Sequence, residues 1–172
     1  MNEEMLRGLT SRRSNRAFAP EQITDEELHK VLAAGMNAPT AKNGQSPIII
    51  AVQNPDEVAA VNALNAKFTP NANPYYGAPT ILVVLADANA KCAVQDGSLV
   101  MGNLMLAAAS LGLGSCWINR AKEEFESDEG KALLRQWGIE GDWVGVGHCI
   151  LGYPAADPKP AAPRKPDYIV KV

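Results

Sequence analysis

Three guanidiniums and a hydroxyl crowd into one stretch, Arg12-Arg13-Ser14-Asn15-Arg16, and a second basic pair, Arg164-Lys165, lies close to the far end. Arginine offers forked, permanently charged donors and serine adds a short one, a set suited to a phosphate. Taken alone, the first cluster fits equally well with arginines that complement the negative end of a preceding helix. The distant pair tips the balance, because a long proline-rich arm with a cationic tip is costly to order unless the tip docks. The chain carries 16 Lys and Arg against 19 Asp and Glu, a net charge of -3. The clusters therefore mark a local anion site, and the balance argues against a nucleic-acid-binding face. Aromatic residues make up only 6% of the chain, too few for a base-stacking platform.

Two further stretches carry polar chemistry. The loop Asn37 to Pro47 places a hydroxyl and amides beside the mouth of a sheet, where polar groups orient ligands. Leu111 to Asn119 looks like a dinucleotide turn but is not one: Trp117 stands where GxGxxG needs its third glycine. Gly145-Val146-Gly147 fails in the same way, with Ile150 in that place. The three cysteines are odd in number and widely spaced, consistent with reduced thiols in a cytoplasmic protein. The two histidines, His29 and His148, stand in no ligand pattern, so no metal site is expected. His29 reads as solvated, His148 as a hydrogen-bonded structural residue and Cys116 as a buried thiol. No apolar run approaches the ~20 residues needed to cross a bilayer, and no signal segment precedes the first helix.

The elements that must position these residues follow from pattern and punctuation. Asn2 to Leu9 reads as a short helix with Met5, Leu6 and Leu9 on one side. Thr24 and Glu27 form a capping box, with Ile23 and Leu28 as a staple, for a helix ending between Gly35 and Ala38. Ile48 to Val52 and Thr80 to Ala86 read as buried strands. Between them, Asn54-Pro55 starts a helix that runs past Val58 and Val61, and Thr69 to Pro79 is loop. Val94 to Leu111 is a helix apolar on almost every side, hence core or an oligomer seam, with its methionines assigned to the seam. Ser115 to Ile118 and Trp143 to Leu151 are further strands, and Ser127 to Trp137 is a helix. The proline-rich residues 155–172 form an extended arm closed by a short strand at Tyr168 to Val172. No internal repeat is visible, and residues 1–172 read as one domain.

Six motifs in this order resemble the flavin-dependent nitroreductase family: Arg12–Arg16, Asn37–Gln45, Asn73–Thr80, Leu111–Asn119, Gly147–Pro154 and Pro163–Pro166. The resemblance spans nearly the whole chain. It implies an α+β, three-layer fold whose mixed, mostly antiparallel sheet is flanked by helices, with the C-terminal arm reaching a partner in a homodimer. It also implies FMN at the dimer interface. Arg12, Arg13 and Ser14 would hold its phosphate and ribityl chain, and Arg16 the pyrimidine edge of the ring. Pro39, Thr40 and Ala41 would come from the partner subunit. Trp117, Ile118 and Asn119 would lie along the ring, with a backbone N–H near Asn119 aimed at N5. Arg164 and Lys165 would reach the phosphate, and Asn71 falls near a position that bonds the ring. The implied activity is ping-pong hydride transfer from NADH or NADPH through FMN to a small flat acceptor, a nitroaromatic or quinone. The alternative is a flavin-storing or sensing protein with little turnover. Two departures touch substrate choice: Ser46 stands within Gln45-Ser46-Pro47 before Ile48, and the chain lacks the extra helical excursion of longer members.

Overall fold

Two strands too apolar for any place but an interior form the middle of the sheet. They are β2 (Thr80–Asp87), in which Ile81 through Ala86 are wholly buried, and β4 (Trp143–Gly152). The computed structural model describes residues 3–172. It places β1 (Pro47–Val52) and β3 (Gly114–Ile118) at the two edges, in the order β1-β2-β4-β3. Every pairing between these strands is antiparallel, which narrows the mixed, mostly antiparallel sheet expected.

Successive side chains of a strand point to opposite faces, so each strand feeds two cores. On one face, Leu82, Val84, Cys149 and Leu151 pack against α2 (Asp25–Met36) and α4 (Ala93–Ser110). On the other, Ile81, Val83, Leu85 and Ile150 meet α3 (Pro55–Ala66), α5 (Ala121–Glu126) and α6 (Asp128–Gln136). Helices thus cover both sides of the sheet, giving the three layers of the α+β expectation.

Local chemistry fixes the helix starts. The Thr24–Glu27 capping box forms as the sequence predicts, and Asn54 accepts from the Asp56 and Glu57 N–H groups ahead of α3. Gly35 lets α2 lie close on α4, since a Cβ there would meet Leu104 Cδ2 at 2.6 Å. A bulge between Val84 and Leu85 of β2 leaves Val146 as the extra residue of β4, pressed against Gly97 of α4.

Four expectations are corrected. β1 is half-exposed because it is an edge strand, not a buried one. The short helix α5 lies where no helix was predicted; Ser127 ends it and caps α6 through a bond from the Gly130 N–H. Residues 168–172 form no strand within the protomer, and Tyr168, Ile169, Val170 and Val172 are exposed. Met101 is wholly buried in the core of its own subunit and not at a seam. The first helix, α1, spans Glu3–Ser11, with Leu6 and Leu9 exposed. The predicted start at Asn2 and the Met5 side chain lie outside the described residues.

Candidate functional site

The N-terminal basic run is sewn to the corner where the chain leaves the sheet. The Asn15 N–H donates to Ser115 O at the start of β3 (2.9 Å), and the Ala19 N–H donates to Tyr153 O just past β4 (2.9 Å). The Ala155 N–H returns a bond to Ala17 O (3.0 Å), and Asn15 Nδ2 donates to Ala156 O (3.2 Å). Gly114 leaves room for this crossing, because a Cβ there would lie 3.0 Å from that of Asn15. A cleft of about 550 Å3 results, walled by Arg12, Arg13 and Leu113 on one side and by Ala156, Asp157 and Pro158 of the arm root on the other.

Arg12 Nη1 is buried yet has no hydrogen-bond partner among the described residues. A guanidinium stays charged, and a buried charged donor without a partner costs free energy. Beside the cleft, that nitrogen therefore leaves an unanswered demand for an acceptor, best met by an anion. Burial pushes the Cys149 thiol up to about 12; Cys116 adds to the rise and the Arg12 charge opposes it. Cys149 is accordingly no nucleophile. Arg13 plays the simpler part foreseen for such arginines, its Nη1 donating to Thr10 O (3.0 Å) and Arg12 O (2.7 Å) behind α1. Ser14 is half-buried, and Arg16 is exposed.

The other predicted residues lie elsewhere in the protomer. Pro39 and Thr40 line a separate cleft of about 790 Å3 with Gly35, Met36, Ile49 and Val100. Thr40 Oγ1 accepts from the Gln45 N–H (3.1 Å) within its own loop. The Ala41 N–H donates to Asp96 Oδ1 (2.9 Å), and Ser46 Oγ donates to Asp96 Oδ2 (3.1 Å). Asp96, buried in the first turn of α4, thus holds the loop that contains Lys42, Asn43 and Gln45 at positive φ. Asn71 Oδ1 accepts from the Asn73 N–H (3.0 Å), a turn internal to its loop.

Trp117 and Ile118 leave β3 on opposite faces, one toward each core, and Asn119 is exposed just beyond. The Trp117 indole lies against Gly147, where a Cβ would approach Trp117 Nε1 to 2.6 Å. That Nε1 is buried and unpartnered among the described residues. Arg164 and Lys165 are exposed on the arm; Lys165 Nζ sits 5.8 Å from the Tyr168 ring centre. Within one protomer the structure thus brings Arg12 and Arg13 to the arm root, but neither the Pro39–Ala41 loop nor the arm's cations to that cleft.

A cluster that the sequence did not announce lies behind Asn119. Asn65, Glu124 and His148 are wholly buried, and Tyr75 is nearly so. His148 Nε2 approaches Glu124 Oε2 to 3.2 Å, off the line of a hydrogen bond. His148 is therefore packed beside a carboxylate, not bonded as expected. Burial, and then the neighbouring Glu124, hold the Tyr75 phenol protonated far above its usual range. Its ring centre lies 5.4 Å from that of His148.

No helix among the described residues is long and apolar enough to cross a membrane, and no group of three His, Cys, Asp or Glu residues among them could hold a metal ion.

This three-layer fold has known counterparts. Residues 9–77 and 69–153 match the nitroreductase family model. A protein of Archaeoglobus fulgidus bearing the provisional name NADH dehydrogenase/NAD(P)H nitroreductase is 34% identical over 162 residues, covering 88% of this chain and 86% of its own. A Bacteroides fragilis nitroreductase crystallised with bound FMN superposes with a TM-score of 0.90 at 28% identity, over 98% of both chains. A nitroreductase from Desulfitobacterium hafniense, also crystallised with FMN, shares the fold with a TM-score of 0.90 at 24% identity over 100% of both. The chain belongs to the nitroreductase family.

Proposed function

We propose that this chain is an FMN-dependent oxidoreductase that takes hydride from NADH or NADPH and delivers it to a small flat acceptor such as a nitroaromatic or quinone. The observation that carries the reading is Arg12, which lines a cleft of about 550 Å3 and whose buried Nη1 has no acceptor among the described residues. Relatives bearing FMN in their crystals and NAD(P)H in their names support the same cofactor and donor here.

When bound, FMN supplies the redox chemistry: it accepts a hydride from one substrate and gives it to the next. The chain supplies position and charge. Arg12 and Ser14 hold the phosphate and ribityl end, with Arg13 assisting from its helix-bound position. Arg16, exposed in the protomer, would serve the pyrimidine edge, where a cation held in place by the bound ligand would stabilise negative charge. Trp117, Ile118 and Asn119 would run along the bound cofactor, and Asn71 would bond its ring.

A second copy completes the site. Pro39, Thr40 and Ala41 close over the partner's flavin, while Arg164 and Lys165 reach its phosphate on the crossing arm. The exposed Leu6, Leu9, Met36 and Leu99 and the apolar arm tip give such a dimer its contact surface.

The test is optical. Purified protein loaded with FMN is expected to bleach on adding NADH or NADPH without oxygen, and to regain its yellow colour with a nitroaromatic or quinone. A yellow protein indifferent to both nicotinamides overturns the turnover and leaves flavin storage. A protein that takes up no flavin overturns the reading altogether.

A further inference from the structure

The interior behind Asn119 holds a single amide that joins a buried carboxylate to the backbone. Asn65 Nδ2 donates one hydrogen to Asn119 O (2.9 Å) and the other to Glu124 Oε2 (2.9 Å). Both partners are acceptors, so the amide has only one workable orientation: turned over, Oδ1 would face a carbonyl and a carboxylate. Asn65 and Glu124 are wholly buried, where such a bridge is strong and its loss costly.

This bridge acts where the backbone is already strained. Arg120, next after Asn119, has φ of 82°, unfavourable for a residue with a Cβ. Such a conformation persists only when its surroundings over-determine it. Here the Asn119 carbonyl is tethered to Asn65, and the Arg120 guanidinium bonds Glu123 Oε1 at 2.8 Å on the helix that follows. A trans peptide carries C=O and N–H on opposite sides. With the Asn119 carbonyl drawn inward, the N–H of the same peptide turns away from the interior. Among the described residues, neither the Asn119 nor the Arg120 N–H donates to an acceptor.

We infer that Asn65, held by Glu124, is a positioning residue: it locks the peptide after Asn119 so that the N–H of that peptide, contributed by Arg120, stays aimed at the ring edge of the bound cofactor. The inference rests on the proposed FMN site and extends it to residues that touch no ligand. Glu124 acts only as the acceptor that orients the Asn65 amide. His148 and Tyr75 close the surrounding pocket and take no part in the bridge.

The test compares FMN with 5-deaza-FMN, which has carbon at ring position 5 and cannot accept a hydrogen bond there. Both carry the same phosphate, so the Arg12 contact cancels in the ratio of their dissociation constants. The wild-type protein is expected to favour FMN about tenfold, the worth of one aligned hydrogen bond. In Asn65→Ala the preference falls toward one while both ligands still bind. Glu124→Gln, which keeps an acceptor for the amide, retains the preference. Should Asn65→Ala fail to fold, Asn65→Ser supplies the same reading, because its short hydroxyl cannot bridge both acceptors. An unchanged tenfold preference in the Asn65 variant overturns the positioning role. So does a wild-type protein that binds both ligands equally well, and that result leaves the flavin site standing. Binding of neither ligand by the wild type removes the flavin site and this role together.

Discussion

Arg12 carries a buried guanidinium nitrogen, Nη1, for which no described residue supplies an acceptor. Replacing it with Met removes the unanswered charge and keeps most of the apolar stem. We expect FMN affinity to fall about 10- to 100-fold, as for loss of a charge-assisted hydrogen bond. The flavin-free protein is expected to melt no lower than wild type, since a buried unpaired charge is gone. Fluorescence titration with FMN and thermal melting of the flavin-free form measure both; undiminished affinity would remove Arg12 from the site. Arg12 was legible in the sequence because its chemistry is declared by its own type and by its neighbours. Asn65, Glu124 and His148 were not. An amide on one helix, a carboxylate on another and an imidazole on a strand carry no common spacing, and only the tertiary fold brings them to one place. Arg13 was legible in both its readings, and the structure shows the helix-capping one already made in the free protomer.

At the scale of elements, α5 is the piece on which the Asn119 corner leans, and it rests directly on backbone. A Cβ at Gly145 of β4 would overlap the Ala121 carbonyl oxygen, and one at Gly130 of α6 would overlap the Glu124 carbonyl oxygen. Gly145 lets α5 sit against the sheet with nothing between, and Gly130 lets α6 do the same against the end of α5. Gly145→Ala is expected to destabilise the fold by about 3 kcal/mol, since backbone cannot yield as a flexible side chain does. A urea-unfolding midpoint measures it, and an unchanged midpoint would show that α5 can lift off freely. The capping box of α2 and the Pro-led start of α3 were legible because those signals are local. The helix α5 was not, because six residues are too few to display a periodicity. The strand β1 was mistaken for a buried one because Pro47 to Val52 is apolar on both faces. An edge place in the strand order leaves no mark in such a run.

For the whole molecule, the largest unmet demand is the arm. Residues 159–172 are exposed throughout, and they end in an apolar tip that no element of the same protomer covers. Exposed apolar surface of this kind suits the contact with a second chain proposed above. Removing residues 159–172 is expected to weaken self-association and FMN retention together, because the same segment carries Arg164 and Lys165. Light scattering and flavin content after dialysis follow the two properties. A shortened chain that stays dimeric and yellow would show the arm to be idle. The three layers were legible from the strand and helix patterns, whereas the proposed docking of the arm would be a property of two chains, so one sequence gives only its stiffness and charge.

The root of that arm is also a wall of the Arg12 cleft, through Ala156, Asp157 and Pro158. In the proposed dimer, thermodynamic reciprocity would follow from this shared wall. A ligand that braced the root would lower the free energy of the docked arm, and a docked arm would tighten the hold on the ligand by the same factor. Dilution and depletion of the ligand would then be two routes to one dissociated state, each equilibrium constant depending on the other concentration.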